Sequence, residues 1–202
     1  MDLFESPSEL IKIPMSDGDL YSLQSLKFDC SNEDLLSRLI LETPWREEKI
    51  TVWGKTFIQP RLIAWYGDKG KNYTYSGNKF EPLAWTPLLL SIKKKIEEVC
   101  KKNFNSVLLN YYRSGLDSLG FHSDDEPELG ENPSIASLSL GETRTFIFKH
   151  KKNKSIAPMK IYLTDESLIV MDGDIQKNWI HGIPKEPLKL GARVNLTFRY
   201  IL

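Results

Sequence analysis

The sequence predicts a mainly β domain braced by helices, an α+β arrangement built on a β-sandwich or jelly-roll barrel. Three observations carry this expectation. Beyond Asn105 the chain reads as successive strands, SVLLNYY, SIASLSL, TRTFIFKH, MKIYLT, SLIVMDG and ARVNLTFRYIL, separated by turn clusters. One strongly helical pattern precedes them, so helix and sheet are segregated along the chain instead of alternating. The 202 residues suit one domain, or one domain with a lid, and are enough to bury a full core.

In chain order, Pro7, Pro14 and Gly18 interrupt the first stretch, and NEDLLSRLIL then gives a short amphipathic helix capped by Ser31 or Asn32. From Trp45 to Phe80, short strands and turns are punctuated by Gly54, Pro60, Gly67, Gly70 and Gly77. Aromatic residues Trp53, Phe57, Trp65, Tyr66, Tyr73 and Tyr75 alternate there with basic ones. The strong helix follows: Thr86 caps it, Pro87 fits its first turn, and Leu89, Ile92, Ile96, Val99 and Cys100 recur at helical spacing. Its opposite face, with the lysines of SIKKKIEEVCKK, reads as solvated.

Composition narrows the function classes. Net charge is zero, which excludes attraction of the whole surface to nucleic acid or anionic lipid. Local balance differs sharply. Between Arg46 and Phe80, Arg46, Lys49, Lys55, Arg61, Lys69, Lys71 and Lys79 outnumber Glu47, Glu48 and Asp68, a balance suited to phosphates. Between Ser114 and Glu142 there are acids and no Lys or Arg, a balance suited to a metal or a cationic group. The acidic opening MDLFESPSEL lacks the pattern of a signal peptide and no apolar run reaches membrane-span length, so we expect a cytoplasmic protein without membrane association. Cys30 and Cys100 lie far apart with no CxxC spacing and are expected to be reduced, partly buried thiols with no chemical role.

Two constellations carry chemistry. His122 and Asp124 stand two apart in RSGLDSLGFHSDD, and a third ligand would complete a two-histidine, one-carboxylate facial triad of the kind used by non-haem Fe(II) oxygenases. His181, after the apolar strand SLIVMDG, is the chosen third member; His150, in the basic turn FKHKKNK, is read as surface. In RVNLTFRY, side chains alternate, so Arg193, Asn195, Thr197 and Arg199 share one face and Val194, Leu196, Phe198 and Tyr200 the other. The polar face is either solvent-exposed on an edge strand or the interior of a barrel. The two arginine backbones lie roughly 20 Å apart, but their long arms can bracket a dicarboxylate. Asn110 and Tyr112 point the same way from NYY.

NYY, HSD, WIHGIP and RVNLTFR, taken with their spacing, resemble the AlkB family of Fe(II)- and 2-oxoglutarate-dependent dioxygenases, most nearly its DNA-repair branch. The resemblance runs from about Lys49 to the C-terminus. It implies a double-stranded β-helix core with a nucleotide-recognition lid, and Fe(II), 2-oxoglutarate and O2 as cofactor and co-substrates. It makes His122, Asp124 and His181 the iron ligands. Asn110, Tyr112, Arg193 and Arg199 would hold 2-oxoglutarate, with Asn195 and Thr197 on the same face. The lid would span Val52 to Gly77, with Trp53 of VWG in the wedge position, Tyr73 and Tyr75 against the target base, and basic residues such as Arg61 on phosphates. Asp125 and Glu126 fall where relatives read the base edge, an acidic wall suited to a cationic methylated base. Bland counterparts exist for each: Trp53 as core, the tyrosine pair as a strand face, the acidic pair as a solvated turn.

The implied organisation is one structural domain in three stretches: an N-terminal arm and helix over 1–45, a recognition lid over 46–85, and a catalytic core with its supporting helix over 86–202. The implied activity is oxidative dealkylation of bases such as N1-methyladenine and N3-methylcytosine by a monomer, with DNA the favoured partner and RNA open. One departure bears on strand preference. Duplex-preferring relatives carry a basic cluster after the second histidine, whereas GIPKEPLKLG interrupts Lys185 and Lys189 with Glu186 and Pro187. Alternatives are an iron oxygenase acting on RNA, protein or a small molecule, and an inert jelly-roll binding module.

Overall fold

The structure is a computed structural model and describes residues 9–52, 55–71, 73–75, 78–186 and 189–202. Two sheets face each other. The larger has eight strands in the order β1 (Ile11–Ile13), β2 (Asp19–Leu23), β12 (Leu168–Asp172), β9 (Ile135–Gly141), β14 (Arg193–Arg199), β7 (Ser106–Tyr112), β4 (Lys55–Gly67) and β3 (Arg46–Val52). The smaller orders β11 (Met159–Leu163), β10 (Arg144–His150), β13 (Trp179–Ile183) and β8 (Leu119–His122), and a separate hairpin pairs β5 (Tyr73–Tyr75) with β6 (Asn78–Phe80). All the paired strands run antiparallel, as in a jelly roll.

Period-two alternation divides the large sheet between two cores. Val194, Leu196 and Phe198 of β14 join Val107 and Leu109 of β7 and Ala136, Leu138 and Leu140 of β9 on the outer side. Against that side pack Leu35 and Leu39 of α1 (Asn32–Glu42) and Leu89, Ile92, Ile96 and Cys100 of α2 (Pro87–Cys100). The caps are those the sequence offers: Ser31 accepts from the Asp34 N–H, and Thr86 from the Leu89 N–H. The inner side holds Leu20, Ile63, Trp65, Leu108, Ile135, Ile169 and Met171, facing Phe146, Phe148, Leu163 and Trp179 of the small sheet and its approaches. Burial of this paired apolar surface holds the layers together.

The core sheet draws on all three expected stretches. β2 comes from the N-terminal arm and pairs with β12 from Leu20↔Met171 to Leu23↔Leu168. β4 comes from the expected lid, yet its second half pairs with β7 from Leu62↔Tyr111 to Gly67↔Ser106, and Ile63, Ala64, Trp65 and Tyr66 are buried. The outer part of β4 leaves Phe57 and Ile58 exposed, β3 forms the sheet edge, and the β5–β6 hairpin is a separate sheet. β14 is a central strand with both faces buried, which rules out the exposed-edge reading of its polar face. Among the described residues no helix is long and apolar enough to cross a membrane.

The short strands β8 and β13 pair through His181↔His122 and Ile183↔Leu119, so two residues of β8 oppose Gly182 in a bulge. A Cβ at Gly182 would stand 2.9 Å from the Leu119 carbonyl oxygen and 3.2 Å from the Phe121 nitrogen. Only glycine lets the bulged strand come this near.

Cys100 is buried in the helix-side core, and burial, reinforced by nearby Asp172, pushes its thiol up to about 12, whereas Cys30 is exposed. We expect one thiol to react with Ellman's reagent in the folded chain and the second only after unfolding; two fast thiols in the native protein would contradict this packing.

Candidate active site

The two sheets place the predicted constellations opposite each other in one cavity. From the small sheet come His122, at the end of β8, and His181 on β13, with Asp124 in the loop just after β8. From the large sheet come Asn110 of β7, Arg193, Asn195, Thr197 and Arg199 of β14, and Arg61 of β4. Tyr112 is fully buried beside this wall.

His122, Asp124 and His181 each offer a ligand atom, all lying within 4.8 Å of one another. Nε2 of His122 is 3.8 Å from Asp124 Oδ1, and Nε2 of His181 is 3.8 Å from Asp124 Oδ2. His122 Nδ1 donates to the Gly120 carbonyl at 3.0 Å, which fixes the tautomer that leaves the Nε2 lone pair free for a metal. Burial first, and then the neighbouring His122, lowers the pKa of His181 to about 3, so its imidazole is neutral and ready to ligate. Burial opposes charge on Asp124, but the Arg199 guanidinium and both imidazoles outweigh it and hold the carboxyl well below the usual range. Two imidazoles and one carboxylate fit Fe(II), with coordination positions left for other ligands.

The polar face of β14 forms a bonded floor. Arg193 Nη2 donates to Ser139 Oγ at 2.8 Å and Asn195 Nδ2 to Ser137 Oγ at 2.8 Å. Thr197 Oγ1 donates to Asn195 Oδ1 at 2.9 Å. Arg193 is fully buried, and its Nε and Nη1 find no hydrogen-bond partner, so buried charged donors remain to meet a carboxylate. Burial lowers its pKa to about 10, still charged at neutral pH. Tyr112 lies between two guanidinium groups, with the carbons of Arg193 and Arg144 5.0 and 5.5 Å from its ring centroid. Arg144 in turn donates to the carbonyls of Ser114, Asp117 and Pro184, tying the neighbouring loops together. This cradle fits one carboxylate of 2-oxoglutarate.

Several placements differ from expectation. Arg199 lines the cavity with Arg193 but is also committed to the triad: its Nη2 donates to Asp124 Oδ1 at 2.8 Å, because the buried carboxylate needs a cation. Arg61 is 3% exposed, donates from Nε to Asn110 Oδ1 at 2.7 Å and lines the cavity, so it does not reach a surface phosphate. Asp125 pairs with Lys151 at 3.1 Å and lines a neighbouring surface cavity with Lys177 and Asn132. Glu126 begins the short turn Pro127–Leu129. His150 is not at the surface: buried against Trp179, it accepts from the Lys152 and Asn153 N–H groups through Nδ1 and faces Asp17 through Nε2. The tight turn folds the lysines outward and the ring inward. Trp53 lies outside the described residues, and Tyr73 and Tyr75 are placed only as backbone, paired with Phe80 and Asn78. Sequence reasoning missed Ser137 and Ser139, although alternation in SIASLSL puts both on the face that meets Asn195 and Arg193.

Two substitutions separate ligand from structural histidine. His181→Ala is expected to abolish Mn(II) binding measured by titration calorimetry. His150→Ala leaves metal affinity unchanged but strands two backbone donors, costing about 1–3 kcal/mol of stability in a urea melt. Loss of metal in the second variant would reverse the assignment.

Known proteins agree with this geometry. Residues 26–199 match the family model described as the 2OG-Fe(II) oxygenase superfamily. The chain is 43% identical over 175 residues to alpha-ketoglutarate-dependent dioxygenase alkB homolog 3 of Rattus norvegicus, an alignment covering 83% of this chain and 59% of the rat protein. It is 41% identical over 160 residues to DNA oxidative demethylase ALKBH2 of Mus musculus, covering 76% of this chain and 67% of the mouse protein. It therefore spans somewhat under two thirds of the length of the first of these relatives. The solved structure of OsALKBH1 shares the fold with a TM-score of 0.65 at 16% identity, covering 94% of this chain and 100% of that one. With triad, arginine cradle and sequence kinship in agreement, the chain belongs to the 2OG-Fe(II) oxygenase superfamily and, within it, to the AlkB family.

Proposed function

We propose that this protein is an Fe(II)- and 2-oxoglutarate-dependent dioxygenase that removes alkyl groups from nucleic-acid bases, in direct reversal of DNA damage. The observation that carries the reading is the His122, Asp124, His181 triad facing the buried Arg193 guanidinium across one barrel, in a chain whose relatives are named as an alpha-ketoglutarate-dependent dioxygenase and a DNA oxidative demethylase. When bound, iron, O2 and 2-oxoglutarate supply an oxidation in which the co-substrate becomes succinate and CO2 while an N-methyl carbon is hydroxylated. The hydroxymethyl product then loses formaldehyde and leaves the repaired base.

The chain's own residues have separable tasks. His122, Asp124 and His181 hold the metal; Arg193, Tyr112 and Asn110 orient 2-oxoglutarate, with Asn195 and Thr197 holding the floor beneath it. Arg199 keeps Asp124 ionised. Phe146 and Phe148 pack their rings 5.2 and 5.7 Å from that of His181, shielding it from water. A methylated base must leave the helix stack to reach such a cavity, and a damaged pair costs less to open. Support for the lid comes from Phe57 and Ile58, apolar yet more than half exposed on the outer part of β4; an aromatic side chain stacked on a base contributes on the order of 1–3 kcal/mol in single-strand binding. N1-methyladenine and N3-methylcytosine carry positive charge, which would suit the acidic Asp125 and Glu126 next to the ligand Asp124, although Asp125 pairs with Lys151 and lines a neighbouring cavity. We place the enzyme in the cytoplasm as a monomer, with DNA the favoured substrate.

The deciding assay loads the protein anaerobically, admits O2, and follows succinate and formaldehyde with single- and double-stranded oligonucleotides bearing either lesion, in DNA and RNA. Formaldehyde in step with succinate is expected, and Asp124→Ala abolishes both. Succinate without oligonucleotide-dependent formaldehyde would sink the repair reading and spare the oxygenase. In the same assay, Arg193→Met is expected to raise KM for 2-oxoglutarate at least about tenfold, the loss of one charged hydrogen-bonded fork. An unchanged KM would remove Arg193 from the co-substrate site.

A further inference from the structure

The segment between β12 and β13 holds a buried side chain with no task in the scheme above. Gln176 lies in α3 (Ile175–Asn178) and is 2% exposed. Its Oε1 accepts the backbone N–H of Asp124 at 2.9 Å, and its Nε2 lies 3.7 Å from Met171 Sδ. Its own carbonyl accepts from Lys151 Nζ at 2.7 Å. On either side of Asp124 the same segment and its lysine make further contacts. Ser123 Oγ donates to the Trp179 carbonyl at 3.1 Å, and Asp125 pairs with Lys151 at 3.1 Å.

These contacts answer a need created by the topology. The ladder between β8 and β13 ends at the His122↔His181 pair, so the next residues have left the sheet and lack its hydrogen bonds. Asp124 nonetheless must present a buried carboxylate at a fixed place, and its buried N–H requires an acceptor. Gln176 supplies one; the contact of its Nε2 with Met171 Sδ orients the amide, and the bond from Lys151 Nζ holds its backbone carbonyl. Residues 176–179 run straight into His181, so a bond from Gln176 to Asp124 ties the loop bearing two ligands to the strand bearing the third.

We infer that Gln176 is the positioning residue for the iron ligand Asp124, fixing the backbone from which that carboxylate departs and hence its relation to His181. This deepens the iron-site reading and does not depend on the nucleic-acid substrate. The test titrates Mn(II) into the metal-free chain and records the absorption spectrum of the Co(II) form. Gln176→Leu and Gln176→Met remove the acceptor at similar volume and are expected to weaken Mn(II) about 10- to 100-fold, the usual loss when a group supporting a ligand is removed. The cobalt spectrum shifts with them. Gln176→Glu, which returns an acceptor oxygen, recovers the affinity to within a few-fold and restores the spectrum. Circular dichroism identifies which removal variant is folded at the assay temperature. Wild-type affinity in a folded removal variant overturns the inference, as does failure of Gln176→Glu to recover it. Absence of Mn(II) binding in the unaltered chain would instead overturn the iron site itself.

Discussion

The ion pair between Asp124 and Arg199 is the contact on which the rest of the molecule depends. Both groups are almost fully buried, and they come from opposite walls of the barrel. A charge so placed is costly without its partner, so removing either side leaves the other desolvated and unpaired. The pair therefore keeps a metal ligand ionised and ties the loop after β8 to β14. Because β14 is rigidly paired on both sides, fixing Arg199 also fixes Arg193 at the other end of the strand. The contact to the triad carboxylate and the Arg193 guanidinium thus stand at two ends of one strand's polar face.

That face works because it has no competing use. Its alternate residues Val194, Leu196 and Phe198 satisfy the helix-side core, leaving every inward position for hydrogen bonding. The neighbouring strands supply short partners: Ser137 and Ser139 from β9, Asn110 from β7. Small hydroxyls reach the β14 side chains without filling the cavity, whereas larger residues there would close it. Polar satisfaction and open volume are thus met by the same choice of side chain.

Much of this was legible in the sequence. The strand alternation of RVNLTFRY, the capped amphipathic pattern of α2 and the triad of His122, Asp124 and His181 are local or periodic signals, and the structure keeps them. Other features depend on contacts between residues far apart in the chain. β8 and β13 are four and five residues long, contain glycine, and gain their strand form from pairing through a bulge. His150 stands among lysines, and only the fold of its turn sends the ring to Trp179. Arg61 reads as one basic residue among many until β4 joins β7 and brings it to Asn110. Gln176 gave no signal at all, since an acceptor is defined by the donor it meets.

The N-terminal hairpin extends the catalytic body beyond the family-matched region, which begins at residue 26. Leu20 of β2 sits in the inner core, Trp179 Nε1 donates to the Ser16 carbonyl, Asn178 Nδ2 donates to the Asp17 carbonyl, and His150 faces the Asp17 carboxylate. These residues grip the strand that bears His181 from behind. Residues outside the matched span thus hold the entry to the strand that carries His181, so the arm is part of the folded body and not an appendage to it.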